Sequence, residues 1–431
     1  MMALPLAFIE KMKKQLPSTE WEAFFAVYQE KPYKGLRLNP LKGDIAQIKS
    51  KFPFLQERVT WEEYGYYHSE EKLGANPYYA AGLAYSQEPS AMSAAPLLQA
   101  QAGDKILDLC SAPGGKGTQL ACRMQGQGII VLNEPVFSRA KILSQNVERL
   151  GIKNAVVCSE LPEKLSKKFA GYFDKILVDA PCSGEGMFRK NADEALGEWS
   201  EENVALCAAR QQDILDEAVK MLKTGGKIVY STCTFAIEED EGQIANFLSR
   251  YPQMRLLAQE KLYPHTAKGE GHFVALLQKT GEDTPCYIKP LKPRVNASNA
   301  KIYKQFEKSF FHAPFARNLH EVDGTLYDVP EDVFDWQGLQ VLRVGVRLGE
   351  VKNGRFEPNH SLAMALKKIE CKNVVELTGA NVDKYLRGET VESDSVSSWC
   401  LVCVDGYPLG LGKASNGVVK NHLPKGLRLH T

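Results

Sequence analysis

From residue 105 to residue 280, short apolar runs alternate with stretches of helical periodicity. The segment KILDLCSAPGGK at 105–116 opens the series. Ile106, Leu107 and Leu109 form an apolar run reaching Asp108 and Cys110. Ser111, Ala112, Pro113, Gly114 and Gly115 make a tight small-residue turn, and helical character begins at Lys116. Further strands are predicted over 129–133, 155–158, 173–178, 227–231 and 272–278. Helices are predicted over 138–150, 201–222 and 238–250. Ala140, Leu143, Val147 and Leu150 share one face of the first of these, and Gly225 with Gly226 closes the second. This alternation predicts an α/β fold with a parallel, doubly wound sheet, opened by a βα unit of nucleotide-binding type. The opening turn is neither GxGxxG nor a phosphate loop ending in GK[ST].

The flanks read differently. Residues 5–16 have a helical pattern, and Ser18 and Thr19 are candidate caps for a second helix before Glu20 and Trp21. In KGLRLNPLKGD at 34–44, Leu36 and Leu38 alternate with Arg37 and Asn39. An edge strand with a solvated basic face is expected, phosphate contact being the alternative. Tyr78, Tyr79 and Tyr85 are expected to pack a lid against the sheet, base stacking being the alternative. Pro89 suits the first turn of a helix. Residues 281–300 carry three prolines and read as a linker. Residues 301–431 read as short strands and turns with one helix near 361–368. The chain therefore divides into 1–100, a catalytic domain at 101–280, the linker 281–300 and a C-terminal region at 301–431. After Asp405 no acidic residue occurs, while Lys413, Lys420, Lys425 and Arg428 are basic. That tail reads as a small β module facing phosphate, or as an ordinary solvated edge.

Composition narrows the class. With 44% hydrophobic and 24% charged residues the chain is an ordinary globular protein, and its net charge of +1 excludes a uniformly basic coat. No apolar run is long enough to span a membrane, and the N-terminus has no signal-peptide pattern. Ten cysteines without framework spacing suit reduced thiols, so a cytoplasmic location is expected. The one CxxC, Cys400 and Cys403, sits in an apolar run and reads as a buried strand rather than a zinc or redox site.

The chemistry gathers at the predicted strand ends, where open α/β sheets bind ligands. These carry Asp108, the 110–116 loop, Glu134, Asp179, Cys182 and Cys233. A carboxylate at Glu134 can accept both ribose hydroxyls of a nucleoside, in a dinucleotide or in S-adenosylmethionine. Two thiols at consecutive strand ends, one flanked by Asp179, suit cytosine C5 chemistry. A thiolate adding to C6 makes C5 nucleophilic, a carboxyl near N3 steadies the ring, and a second group assists release. Dithiol redox chemistry ordinarily uses CxxC spacing, which these thiols lack.

The chain resembles the Sun-type RNA cytosine-C5 methyltransferases, and among them the RsmF-like enzymes of 16S rRNA. RLNPLK at 37–42, QEPSAM at 87–92, DLCSAPGGKGTQLA at 108–121, DAPCSGEGMFRK at 179–190, YSTCTF at 230–235 and GYPLGLGKASNGVVKNHLPKGLR at 406–428 carry the resemblance. It implies a Rossmann-like S-adenosylmethionine-dependent sheet, a small N-terminal RNA-binding segment and a C-terminal PUA-like module. It implies Cys233 as nucleophile, Cys182 in product release and Asp179 on the cytosine edge beside the methyl donor. Cys110, Ser111, Ala112, Pro113, Gly114, Gly115, Lys116, Glu134 and Arg139 match donor-binding positions. Lys190 ends a matching motif, as an active-site or a surface lysine. Many relatives carry an aspartate after the third strand, whereas here Ser159 and Glu160 are the candidates for the adenine amine. The expected partner is 16S rRNA or the 30S subunit, with transfer RNA second, and the expected state is a monomer without metal or membrane. A nicotinamide oxidoreductase and a non-catalytic ribosome-assembly factor are the other classes considered.

Overall fold

A computed structural model describes residues 4–282, 286–393 and 398–429. Its central sheet contains β1 (Lys105–Asp108), β2 (Ile129–Asn133), β3 (Ala155–Cys158), β4 (Phe173–Asp179), β5 (Leu222–Thr232), β6 (Met254–Leu262), β7 (His272–Lys279) and β8 (Val341–Val344). The strand order is β6-β7-β5-β4-β1-β2-β3-β8. The helices that cover it include α1 (Gly115–Arg123), α2 (Phe137–Arg149), α3 (Glu201–Met221) and α4 (Glu241–Arg250). β5, β4, β1, β2 and β3 run parallel. β2 and β3 are buried throughout and the other three over most of their length, because helices cover both faces. The chain order reverses at β1 and β4, which opens a crevice at their carboxyl ends.

The sheet is mixed rather than wholly parallel. β7 runs antiparallel to β5, and β6 antiparallel to β7. At the far edge β8, from the C-terminal region, runs antiparallel to β3. Gly225 and Gly226 do not close α3. That helix passes directly into β5 at Leu222, and the pairing with β4 slips between Leu222 and Lys227, so the glycines form a bulge inside the strand. The 281–300 segment is not free of contacts. Leu291 N–H donates to the Val333 carbonyl, and a helix, Ala297–Phe310, already begins before residue 300. Residues 283–285 of that expected linker lie outside the described residues.

The flanking segments pack as one body. Gly35–Leu38 is an inner strand of a four-stranded sheet and is wholly buried, so neither a solvated edge nor a phosphate contact describes it. Leu36 and Leu38 share a hydrophobic cluster with Val375, Leu377, Tyr385 and Val402 of the C-terminal module. Lys51 pairs with Asp405 at 2.6 Å, and the Tyr78 hydroxyl donates to the same carboxylate. Tyr79 and Tyr85 sit against the Arg149 guanidinium, and Tyr85 is buried, which is packing rather than base stacking. Ser18–Glu20 is a short 3-10 turn leading into the helix Trp21–Ala26, without a side-chain cap. Among the described residues beyond 296 there are three α-helices, Ala297–Phe310, His360–Met364 and Ala380–Leu386, where one was expected.

Arg37 shows what this packing does for the site. Its side chain reaches α1 and donates to the Gly115 carbonyl and to Thr118 Oγ1, both at 2.8 Å. Hydrogen bonds from a charged donor contribute about 1.5–3 kcal/mol each. Arg37→Met is therefore expected to lower the urea midpoint, measured by chemical denaturation. A wild-type midpoint in the variant would show that the glycine turn holds its shape unaided.

Candidate active site

Five strand ends converge on the crevice. β1 ends at Asp108, whose Oδ2 accepts from the Ser111 hydroxyl at 2.7 Å while Oδ1 is buried without a partner. The turn continues through a cis Ala112–Pro113 bond to Gly114, at φ 113, which only glycine adopts readily. A side chain at Gly117 would stand 2.5 Å from Asp108 Oδ2 and 2.7 Å from Ser111 Oγ, so α1 must present bare backbone there. Burial pushes the Asp108 carboxyl up to about 7. Cys110 is half-buried beside it, and desolvation raises its thiol.

β2 delivers Glu134, 2% exposed, whose Oε1 accepts the Val136 N–H at 3.0 Å. Arg139 spans from Glu134, at 3.6 Å, to the Ala112 carbonyl, at 3.1 Å, and so links the turn to the end of β2. After β3, the Ser159 hydroxyl donates to the Pro135 carbonyl. Glu160 Oε1 accepts from Lys164 Nζ at 2.8 Å and from Gln340 N–H at 2.5 Å, so that carboxylate is already occupied by the segment leading to β8. Val136, Phe137 and Leu161 are large exposed apolar side chains beside these strand ends.

β4 ends at Asp179. Its Oδ2 meets Lys116 Nζ at 2.8 Å, and its Oδ1 accepts from the Ser231 hydroxyl at 2.8 Å. His272 on β7 lies behind it, with Nε2 4.0 Å from Oδ1. It is 1% exposed, and both ring nitrogens lack a partner. Burial, with the Lys116 ammonium nearby, pushes this imidazole well down, so it stands neutral at pH 7. Cys182 follows β4, and Cys233 follows β5. Their sulfurs are 3.2 Å apart, and the Cys233 N–H points at Cys182 Sγ from 3.4 Å. Contact with the Cys233 sulfur, then burial, raises the Cys182 thiol well above its ordinary range.

The strand-end residues named from sequence thus meet in one crevice. Lys116 lies in an ion pair with Asp179, a partnership that sequence reasoning missed, as it missed His272 and Ser231. Lys190 is exposed on the surface. Cys400 and Cys403 are buried in the strand Ser398–Val404, away from this crevice.

Residues 95–288 match the 16S rRNA methyltransferase RsmB/F family. Residues 4–89 match the N-terminal domain of 16S rRNA methyltransferase RsmF, 305–366 the first C-terminal domain of RsmF rRNA methyltransferase, and 372–429 the methyltransferase RsmF PUA domain. Ribosomal RNA small subunit methyltransferase F of Shigella dysenteriae is 31% identical over 98% of this chain and 96% of its own. The chain belongs to the RsmB/F family of 16S rRNA methyltransferases. The family member from Escherichia coli O157:H7 is equally similar, at 31% identity with 98% and 96% covered. Among solved structures, a methyltransferase homologue from Pyrococcus horikoshii is 25% identical, with a TM-score of 0.56 over 64% of this chain and 100% of that one. NSun6 from Pyrococcus horikoshii, solved with SFG, shares the fold at 21% identity, with a TM-score of 0.57 over 65% of this chain and 100% of its own. The family's methyltransferase fold is the α/β sheet with a C-terminal PUA domain seen here.

The Asp108 environment makes a testable statement about acid. A carboxyl raised from 3.8 to about 7 on folding retains its proton in the native state where the unfolded chain has lost it. Its contribution is fully present below pH 3.8 and is lost as pH rises through about 7. The ligand-free protein is therefore expected to lose stability between these limits, and Asp108→Asn to flatten that slope in pH-dependent denaturation. A variant with an unchanged slope would remove Asp108 from the account.

Proposed function

We propose that this protein methylates C5 of cytosine in 16S rRNA, using S-adenosylmethionine and a covalent bond between Cys233 and cytosine C6. The observation that carries the reading is the convergence of two thiols 3.2 Å apart with the Lys116–Asp179 pair at neighbouring strand ends. Relatives named ribosomal RNA small subunit methyltransferase F support the RNA substrate.

The residues present fit the methyl donor. The unpartnered Asp108 Oδ1, the glycine turn and the buried Glu134 carboxylate offer acceptors, with backbone at close approach, for a nucleoside carrying an amino acid. In this reading 110–116, Glu134 and Asp179 hold the donor, and Arg139 braces Glu134. Since Glu160 is engaged by Lys164 and Gln340, Ser159 is the better of the two candidates for the adenine amine. S-adenosylmethionine, when bound, supplies an electrophilic methyl group on a sulfonium.

The chain's own residues do the rest. Cytosine is turned out of its stack into the crevice. Asp179, oriented by Lys116 and Ser231, holds the amine and N3 edge of the ring. Cys233 gives its proton to solvent, and its thiolate adds to C6, which places electron density on C5, the carbon that takes the methyl group. Cys182 is held protonated chiefly by contact with the Cys233 sulfur. Once that sulfur is bonded to carbon, the larger cause of the raised thiol is removed, and Cys182 gives its proton to solvent as it takes up the role of base. It then accepts the C5 proton, the C6–S bond breaks, and Cys233 leaves as thiolate. Lys413 and Lys420 face each other across two strands of the C-terminal module, and Trp399 faces Lys413 on the next. The two lysines are exposed and Trp399 is half-buried, and this row is the surface suited to RNA phosphates. Arg428 is not part of it, since its guanidinium donates to the Leu423 carbonyl.

The test is product analysis. Purified protein is incubated with 16S rRNA, 30S subunits or transfer RNA and methyl-labelled donor, and the RNA is digested to nucleosides. Label in 5-methylcytidine from the ribosomal substrates alone is expected. Label in another nucleoside, or from transfer RNA only, would overturn the reading.

A further inference from the structure

We infer that Glu185 and Lys11 form a positioning pair that sets the geometry of the two thiols, an inference that rests on the methyltransferase reading of the site. Glu185 lies three residues beyond Cys182 and is fully buried. Its Oε1 accepts from Lys11 Nζ at 2.5 Å and from the Trp199 indole N–H at 2.9 Å. Its Oε2 accepts the backbone N–H of Phe235, two residues beyond Cys233, at 3.0 Å. One carboxylate thus ties the loop carrying one thiol to the loop carrying the other. Next to it, the Gly186 N–H donates to the Cys233 carbonyl at 2.8 Å. A Cβ at Gly186 would stand 2.9 Å from that carbonyl oxygen, so the two loops approach as closely as bare backbone allows.

A second carboxylate grips the same loops, and among the described residues no cation pairs with it. Glu239 accepts from the Ser183 N–H and hydroxyl and from the Gln211 amide, and Ser183 Oγ meets Thr234 Oγ1 at 2.9 Å. Glu185 differs in having its charge met by a lysine from the first helix of the chain, Leu6–Gln15. That helix is seated by Phe8, whose ring lies 5.0 Å from Phe188 and 5.9 Å from Trp199. A buried carboxylate stripped of its cation must take up a proton or draw away from its donors, and either change loosens the Phe235 contact. The N-terminal helix is accordingly a working part of the thiol site as well as a flank of the catalytic sheet.

The test reads thiol geometry separately from methylation. Wild type, Lys11→Met, Lys11→Arg and Glu185→Gln are treated with diamide, which takes up two electrons and two protons as Cys182 and Cys233 join. The disulfide is followed by mass spectrometry of the intact chain, with no RNA or donor present. Misplacing reacting groups by about 1 Å costs about a hundredfold in rate. Lys11→Met and Glu185→Gln, folded by circular dichroism, are expected to form the disulfide at least about tenfold more slowly. They are expected to lose kcat for methylation with an unchanged KM for RNA, and Lys11→Arg to restore both. Slower disulfide formation in a protein whose wild type methylates no cytosine would uphold the pair and sink the functional reading alone. Wild-type disulfide rates in both Lys11→Met and Glu185→Gln would overturn the pair, whatever the methylation result.

Discussion

Replacing Cys233 with alanine is expected to abolish methylation, and replacing Cys182 with alanine to leave the protein bonded to its RNA, the largest effects of any single change. Without the Cys233 sulfur, C5 of cytosine is expected to remain electron-poor. The loss should exceed about a thousandfold, since a removed nucleophile takes its partners' contributions with it. Cys182→Ala keeps the nucleophile and removes the base nearest to it, 3.2 Å away. Addition and methylation then proceed, but the C5 proton has no acceptor and the C6–S bond persists. A denaturing gel of each variant after incubation with 16S rRNA and donor checks this. A covalent band in Cys182→Ala and none in Cys233→Ala is expected. The opposite pattern would exchange the two roles.

Asp179→Asn ranks second. The substitution keeps the size of the side chain and the contact with Ser231 Oγ, but removes the charge that Lys116 Nζ meets at 2.8 Å. The Lys116 ammonium, only 9% exposed, then faces a neutral amide. It is free to turn toward the cytosine edge, where a cation opposes protonation of N3. Removing one preorganised electrostatic contact costs about 10²–10³ in rate. A fall of that size in single-turnover methylation is expected, with RNA affinity unchanged, since the role assigned to Asp179 is at the cytosine edge. An Asp179→Asn variant as fast as wild type would move the ring-holding role elsewhere, and neutral His272 behind it would be the first group to examine.

How much of this was legible in the sequence follows from how each feature is encoded. β2 and β3 are apolar throughout because helices cover both faces, so their runs stand out and their limits were read correctly. β6 was missed because it is an edge strand. Arg255, Gln259, Glu260 and Lys261 break any alternation, and only its two ends are buried. β8 comes from a segment some 180 residues downstream of its partner, as the Glu160–Gln340 contact shows, and no local signal announces such pairing. Arg37 misled because a charged residue between leucines ordinarily marks a solvated face, whereas here carbonyl and hydroxyl acceptors on α1 hold it inside. In the crevice, residue types were legible, but partnerships were not. Cys182 and Cys233 are 51 positions apart, and only the β4–β5 pairing brings them into contact. The Lys116–Asp179 pair arises in the same way, from the β1–β4 pairing. The flanking segments looked like separate modules because a hydrophobic pattern shows which face is buried, not what buries it. Their shared cluster is a tertiary fact.

Release of tritium from C5 tests the central claim most directly. Ribosomal RNA transcribed with cytidine tritiated at C5 is incubated with the protein and unlabelled S-adenosylmethionine. Tritium entering water is then counted against methyl groups gained. Attack by Cys233 at C6 followed by proton removal predicts one tritium released for each methyl group transferred, and none from Cys233→Ala. Methyl transfer with the tritium retained in the RNA would contradict chemistry at C5, and with it the role assigned here to both thiols.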